Sequence, residues 1–191
     1  SLLDFDFDGI IGATGGYVEF RKQQLCYDTF GEERMQSIID CFKDTGAALI
    51  LQQRDKTISN QQYEDQFIKI YKQKCELNRL KDLEAFQNLI YDDDVSAYPR
   101  RYADTSSLLY CDSPYTTQEV RDRMAPGIRI ETASFKEPDP YTGEITIMAA
   151  SKKTGIEKLL MHLGKAQKDV IAFGDSLNDL EMLEFAHTSV G

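Results

Sequence analysis

Residues 170–183 read Val-Ile-Ala-Phe-Gly-Asp-Ser-Leu-Asn-Asp-Leu-Glu-Met-Leu, and this stretch decides the fold. The apolar run at its start predicts a short buried strand over residues 169–173, and the glycine after it marks a turn. The spacing that follows predicts a helix over residues 178–185, with a further strand beginning at Thr188. Strand, helix and strand joined by tight turns are typical of a parallel, doubly wound α/β sheet.

Two aspartates in this stretch are candidates for a metal site. Asp175 is predicted at the carboxyl end of the strand, where open α/β sheets place their ligands. Asp179 comes four residues later, in the first turn of the helix, so both carboxylates can converge on one point. Hard oxygen ligands with room for water and a phosphate suit Mg²⁺ better than zinc. The alternative is structural: Asp175 or Ser176 would cap the helix, and Asp179 would balance its dipole.

The same residues resemble the fourth motif of Cof-type phosphatases of the haloacid dehalogenase superfamily. That motif is a strand followed by Gly-Asp-x-x-Asn-Asp and a Met-bearing helix. Residues 151–155, Ser-Lys-Lys-Thr-Gly, resemble the third motif, with Lys152 on the motif lysine and Lys153 in place of the usual glycine. Residues 9–18 more loosely resemble the passage from core to cap, with Thr14 where asparagine is common.

The resemblance implies an α/β fold with two parts. One is a doubly wound, Rossmann-like parallel core, present in part, and the other is an inserted α+β cap domain of the αββ(αβαβ)αββ type. Residues 1–17 would be a core segment and linker, residues 18–148 the substrate-specificity cap, and residues 149–191 the C-terminal part of the core. The final Ser-Val-Gly has the pattern of a strand that begins. We therefore expect the complete protein to extend beyond the residues shown.

The resemblance also implies a reaction, the Mg²⁺-dependent hydrolysis of a phosphomonoester through an aspartyl-phosphate. Sugar phosphates or similar small phosphorylated metabolites would be the substrates. Asp175 would bind the metal directly and Asp179 directly or through water, while Asn178 would orient the phosphate or the loop. Lys152 would bind the phosphate and stabilise the charge that develops on it, and it is expected, with Asp175, to be catalytic.

Other interpretations remain open for these residues. Lys152 can instead be a solvated lysine at a helix start, and the adjacent Lys153 strengthens that interpretation. The whole protein can be a phosphomutase-like enzyme with the same cap, or an inactive relative that binds metal and phosphate. Arg100 and Arg101 can grip a substrate from the cap or lie in a surface turn.

Residues 6–10, Asp-Phe-Asp-Gly-Ile, resemble the first motif of the family, Asp-x-Asp-Gly-Thr, which supplies the nucleophile and the acid. Three features argue against that assignment. An acidic residue interrupts the strand that should precede it, Ile10 replaces the threonine, and no room remains for a second motif before the next hairpin. We expect Asp6 and Asp8 to lie in a loop, and the first and second motifs to lie upstream of Ser1. Asp6 and Asp8 as nucleophile and acid are the alternative.

The composition and net charge of the chain favour some classes of binding partner over others. A formal net charge of -10 disfavours nucleic acid, which usually binds to a basic face. No apolar run approaches the roughly 20 residues of a membrane span, and we expect no secretory signal. Four scattered cysteines without a Cys-x-x-Cys pair suggest thiols in a reduced compartment. We expect a cytoplasmic protein whose partner is a small phosphorylated metabolite, while its oligomeric state is not predicted.

Apolar spacing predicts the remaining elements. Between the two candidate core segments, strands and helices alternate irregularly, as expected for an α+β layer. The predicted elements are a hairpin over 18–27, helices over 32–45, 60–89, 117–124 and 154–163, and strands over 47–51, 106–111, 128–134 and 144–148.

Overall fold

The computed structural model describes residues 7–60, 89–92, 99–132, 139–175 and 179–191. The chain divides into two compact units. The first unit combines Ser1–Asp28 with Met148–Gly191, and the second unit is the continuous segment Thr29–Ile147 between them. The hairpin that begins at residue 18, assigned to the cap from the sequence, lies in the first unit. The roles of the two units as core and cap remain predictions.

The first unit opens with a three-stranded antiparallel sheet. Its strands are β1 (Gly9–Gly12), β2 (Tyr17–Phe20) and β3 (Gln23–Tyr27), with β2 in the centre. The turn between β2 and β3 places Arg21 and Lys22 at φ values of 48° and 66°. Two consecutive left-handed residues are what a tight two-residue hairpin requires. The predicted hairpin is present, whereas β1 was not predicted.

The second unit is built on a six-stranded sheet with the order β6-β5-β4-β7-β9-β8. All neighbouring strands are antiparallel except β5 and β6, which are parallel. Within the described part of this unit, two helices and a 3-10 turn, Pro99–Tyr102, accompany the sheet. The elements are α1 (Gly31–Phe42), β4 (Ala48–Gln52), β5 (Thr57–Ser59), β6 (Leu89–Tyr91), β7 (Ser107–Cys111), α2 (Thr117–Arg123), β8 (Ile128–Thr132) and β9 (Gly143–Ile147).

The core of the second unit follows the apolar spacing of its sequence. Helix α1 buries the residues of one face, and strand β4 buries four consecutive residues, as a central strand covered on both faces does. Helix α2 begins with a capping box in which Thr116 and Glu119 satisfy each other's backbone donors. Hydrogen bonds from the Thr116 backbone N–H and hydroxyl lower the pKa of the Glu119 carboxyl. The helix predicted over residues 60–89 lies almost wholly outside the described residues.

The chain then returns to the first unit and forms α3 (Lys152–Leu163), β10 (Ile171–Phe173), α4 (Leu180–Phe185) and β11 (Thr188–Val190). Strands β10 and β11 are parallel neighbours. The predicted strand, helix and strand are therefore present in the predicted order. None of the helices in the described ranges is long and apolar enough to cross a membrane.

Candidate active site

Asp175 and Asp179, which follow β10, are in direct contact. The backbone N–H of Asp175 donates a hydrogen bond of 3.3 Å to Oδ2 of Asp179. Gly174 permits this approach, because a Cβ at that position would lie 2.6 Å from Cβ of Asp179 and 3.0 Å from its Oδ2. The glycine of the motif is therefore a packing requirement. The Asp175 side chain is at the carboxyl end of β10 and is exposed.

Asp179 also contacts the first residue of α3. The ammonium group of Lys152 donates a hydrogen bond to Oδ1 of Asp179, which makes the pair a salt bridge as well. The Asp179 side chain is only 10% exposed, whereas the Lys152 side chain is 32% exposed. A nearly buried carboxylate needs a charged partner, and Lys152 supplies it from a position that still reaches solvent.

The Asp179 carboxylate does not cap its own helix. Asp179 occupies the residue before α4, but its side chain makes no capping hydrogen bond there. Both of its oxygens are used by groups outside α4, the Lys152 ammonium and the Asp175 N–H. Asp179 thus links Lys152 to the Asp175 backbone, while its role in the metal site, or in balancing the dipole of α4, stays a prediction.

The two adjacent lysines face different partners. The Lys153 ammonium is 4.0 Å from Oε1 of Glu157, one helical turn away, and 5.6 Å from the ring centroid of Phe185. It is thus held by α3 itself and by the end of α4, whereas Lys152 reaches Asp179. This difference supports the choice of Lys152 as the motif lysine.

Of the two N-terminal aspartates, Asp8 lies within the described residues. Asp6 and Asn178 lie outside the described residues. The Asp8 side chain is 76% exposed and lies 3.3 Å from Nε of Arg21 in a surface salt bridge. Asp8 leads into β1, which pairs with β2 in antiparallel fashion rather than with a parallel core strand. The predicted loop position of Asp8 is compatible with this environment and stays a prediction.

Arg100 and Arg101, the two arginines singled out from the sequence, are paired with carboxylates. Arg100 Nε lies 3.0 Å from Glu32, and Arg101 lies 3.1 Å from Oδ2 of Asp92. The Tyr102 hydroxyl donates to the same Asp92 oxygen at 2.6 Å. These contacts favour a structural role for the turn, while the open interpretation as a substrate grip remains untested.

Two contacts of helix α3 could not be predicted from the sequence. One is with the turn Ala13–Gly15, which packs against the start of α3. The other is a cluster in which the Lys158 ammonium lies 2.6 Å from Oδ2 of Asp28 and 3.0 Å from Sγ of Cys26. Burial alone would lower the pKa of Lys158, but its hydrogen bonds to Asp28 and Cys26 outweigh burial and raise that pKa. No local spacing signals either contact, because the partners are far apart in sequence.

The donor atoms at the site suit a magnesium ion. Among the described residues, no group of three or more His, Cys, Asp or Glu side chains is gathered. The candidate protein ligands are Asp175 and Asp179 of the motif. Mg²⁺ is commonly held by one or two carboxylates and keeps several waters. The exposed Asp175 carboxylate can serve as a direct ligand. The Asp179 oxygens already accept two hydrogen bonds, so this carboxylate is better placed to act through water.

Solved structures share this fold. A haloacid dehalogenase-like hydrolase from B. subtilis superimposes with a TM-score of 0.71 at 17% identity, over 95% of this chain and 67% of that chain. The sugar phosphatase BT4131, of haloacid dehalogenase subclass IIB, superimposes with a TM-score of 0.68 at 18% identity, over 95% of this chain and 63% of that chain. The predicted α/β fold class is therefore confirmed as the fold of haloacid dehalogenase-like proteins.

Sequence comparison identifies the family. Phosphoglycolate phosphatase 1 of Saccharolobus solfataricus is 29% identical over 117 residues, which are 61% of this chain and 49% of that protein. The chain thus spans about half the length of this curated relative. The family model for haloacid dehalogenase-like hydrolases matches residues 2–191. The chain belongs to the haloacid dehalogenase-like hydrolase family, as its motifs predicted.

Proposed function

We propose that this chain supplies the metal and lysine side of the active site of a Mg²⁺-dependent phosphomonoester hydrolase. One observation carries the proposal: Lys152 and Asp179, from two separate motifs, meet in one ion pair that also touches the Asp175 backbone. A cation beside two carboxylates at a strand end is an arrangement suited to binding a phosphate together with a metal ion.

The proposed substrates are sugar phosphates or similar small phosphorylated metabolites. Support comes from the names of two similar proteins, a sugar phosphatase and a phosphoglycolate phosphatase. Each name gives a small phosphorylated metabolite as the substrate of that protein. The net charge of -10 makes a local cation necessary for such substrates, because the protein as a whole repels anions.

The proposed roles of Lys152, Asp179 and Asp175 are consistent with their environments, and that of Asn178 comes from the resemblance of its motif. The Lys152 ammonium binds a phosphoryl oxygen and stabilises the negative charge that develops there. Asp179 orients that ammonium and, through water, adds to the metal site. Asp175 holds the metal directly, and Asn178 orients the phosphate or the loop. A bound Mg²⁺ would neutralise charge on the phosphoryl oxygens as a Lewis acid.

The proposed reaction proceeds through an aspartyl-phosphate. A carboxylate oxygen attacks phosphorus, the bond from phosphorus to the leaving oxygen breaks, and that oxygen takes a proton from an acid. Water then hydrolyses the acyl phosphate, which releases phosphate and restores the carboxylate.

The test is hydrolysis of a generic aryl phosphate by the full-length protein with two matched variants, Lys152→Met and Lys153→Met. We expect Lys152→Met to lower kcat/KM by about 100-fold to 1,000-fold, the effect of removing one preorganised charge-stabilising donor. Lys153→Met should stay within about twofold of the parent protein, since only exposed contacts are lost. EDTA should abolish hydrolysis, and added Mg²⁺ should restore it.

Two results would contradict the proposal. Equal effects of the two lysine substitutions would mean that Lys152 has no special role. An intact protein that binds Mg²⁺ and phosphate without hydrolysing any phosphomonoester would instead be an inactive relative.

A further inference from the structure

The turn between β1 and β2 lies directly against the peptide that precedes Lys152. A Cβ placed on Gly15 would be 1.8 Å from the carbonyl oxygen of Ser151, 2.4 Å from its carbonyl carbon and 3.1 Å from the backbone nitrogen of Lys152. All three atoms belong to the peptide group that joins Ser151 to Lys152. Gly15 therefore lets the backbone of the turn touch the backbone at the start of α3.

The helix contributes a second glycine to this contact. A Cβ on Gly155 would be 2.5 Å from Cγ2 of Ile11 and 3.1 Å from Cα of Gly15. The first turn of α3 and the β1–β2 turn are thus packed without side chains between them. Ser151 stabilises the same turn of the helix, because its hydroxyl accepts a hydrogen bond of 3.2 Å from the Thr154 N–H.

The conformation of the turn is unusual. Ala13, Thr14 and Gly15 all have positive φ, with values of 46°, 51° and 94°. A β-branched residue such as Thr14 rarely adopts the left-handed region, so the surrounding contacts must hold it there. Strained backbone persists where the structure around it over-determines the geometry, and such places are often functional.

We propose that Gly15 is a positioning residue for Lys152, a role that rests on the proposed function of that lysine. Gly15 sets the location of the Ser151–Lys152 peptide, and this peptide sets where the Lys152 side chain begins. The Lys152 ammonium group therefore reaches Asp179 from a backbone position that Gly15 determines. Gly15 touches neither substrate nor metal in this scheme and acts only through the backbone of Lys152.

The size of the effect follows from the geometry. A methyl group on Gly15 would require the Ser151 carbonyl to recede by about 1.2 Å, the difference between 1.8 Å and the 3.0 Å below which real Cβ contacts are essentially never found. A misplacement of about 1 Å at a catalytic group can cost on the order of 100-fold in rate. We expect Gly15→Ala to lower kcat by roughly 10-fold to 100-fold.

The test is a double-mutant cycle on the full-length protein with an aryl phosphate as substrate. The four proteins are the parent, Gly15→Ala, Lys152→Met and the double variant. If Gly15 acts through Lys152, Gly15→Ala lowers kcat in the parent but has almost no further effect once Lys152 is Met. A merely structural role would lower activity by the same factor in both backgrounds, which would overturn the inference.

A matched control and a milder variant complete the design. Gly12 lies in the same segment as Gly15 and has a φ of -118°, and a Cβ placed on it would meet nothing closer than 3.8 Å. We therefore expect Gly12→Ala to keep the kcat of the parent protein. Should Gly15→Ala not fold, Gly155→Ala perturbs the contact from the helix side, where the nearest atom is a side-chain methyl of Ile11 at 2.5 Å rather than a backbone carbonyl at 1.8 Å. A decrease for Gly155→Ala that disappears in the Lys152→Met background supports the inference, and an equal decrease in both overturns it.

The outcomes separate this inference from the proposed function. A large loss in Lys152→Met together with parent kcat in Gly15→Ala would overturn the positioning role alone. Full activity in Lys152→Met would overturn the proposed function, and the role of Gly15 with it.

Discussion

The Asp179 carboxylate is nearly buried and therefore depends on its partners. It accepts hydrogen bonds from the Lys152 ammonium and from the Asp175 N–H. Removing one partner of a buried ion pair leaves a charge without compensation, which destabilises the folded state. A Lys152 variant will therefore lose stability as well as activity, and its kinetics should be measured on protein whose folded fraction is known.

These site residues were predictable to different degrees. Asp175 and Asp179 could be predicted because both lie within one short motif whose strand–turn–helix pattern is local. Lys152 could be assigned by resemblance, but its contact with Asp179 spans 27 residues of sequence, which no local pattern encodes. Gly15 and Ser151 are even farther apart in sequence. The Gly15–Gly16 pair alone therefore does not indicate that Gly15 contacts the Ser151 carbonyl.

Asp8 provides a residue-level prediction. Its side chain is exposed and paired only weakly at the surface with Arg21, so we expect Asp8→Asn in the full-length protein to keep kcat within about twofold of the parent. The free energy of unfolding should change by less than about 1 kcal/mol. Both quantities can be measured by aryl phosphate kinetics and thermal unfolding.

Arg21→Gln is the matched control for Asp8→Asn, because it breaks the same ion pair and keeps the carboxylate. Both variants should behave alike. A loss of activity on the order of 100-fold in Asp8→Asn, with Arg21→Gln unaffected, would make Asp8 a catalytic acid or base.

At the level of elements, helix α3 is held along its length by the N-terminal segment of the first unit. Its first turn packs on the Ala13–Gly15 turn, and in its middle Lys158 reaches Asp28 and Cys26 beside β3. The second contact joins the helix to the hairpin within the first unit. The raised pKa of Lys158 means that the folded state favours the charged ammonium, so this contact stabilises the fold.

Lys158→Met tests this contact. The two partners are 31% and 35% exposed, so we expect a loss of up to about 1 kcal/mol in the free energy of unfolding, or roughly 2–4 °C in Tm. A group whose pKa is raised on folding stabilises fully below its unfolded pKa. The difference in Tm should therefore be constant from neutral pH to about pH 9 and shrink as the pH rises past about 10.5.

Lys165→Met is the charge-matched control, because Lys165 is exposed beyond the end of α3. It should leave Tm within about 1 °C of the parent protein. A Tm difference for Lys158→Met that is absent at neutral pH, or that persists undiminished above the folded pKa, would argue against the contact.

Most elements could be predicted because their apolar spacing is local. Helix α3 begins two residues earlier than predicted, since the Ser151 capping box starts it at Lys152. Strand β1 was missed because Gly-Ile-Ile-Gly carries a weak strand signal. It becomes a strand through its pairing with β2, a contact that only the folded first unit supplies.

At the scale of the whole molecule, the two units differ in how they bury apolar surface. Of the largest fully buried side chains among the described residues, all except Val18 belong to the second unit. In the first unit, Ile171 and Phe173 of β10 are 65% and 71% exposed. The division at Asp28 could not be read from the sequence, because the β2–β3 hairpin resembles a cap element locally and joins the first unit through its pairing with β1 and its contact with α3.

The most direct measurement of the central claim is the Mg²⁺ dependence of aryl phosphate hydrolysis by the full-length protein. Asp175→Asn is compared with Asp55→Asn, in which an exposed carboxylate of the second unit is changed. We expect the parent and Asp55→Asn to share one activation curve, and Asp175→Asn to need on the order of 100-fold more Mg²⁺ or to remain inactive. Hydrolysis that persists in EDTA, or an Asp175→Asn protein that follows the parent curve, would contradict the metal site.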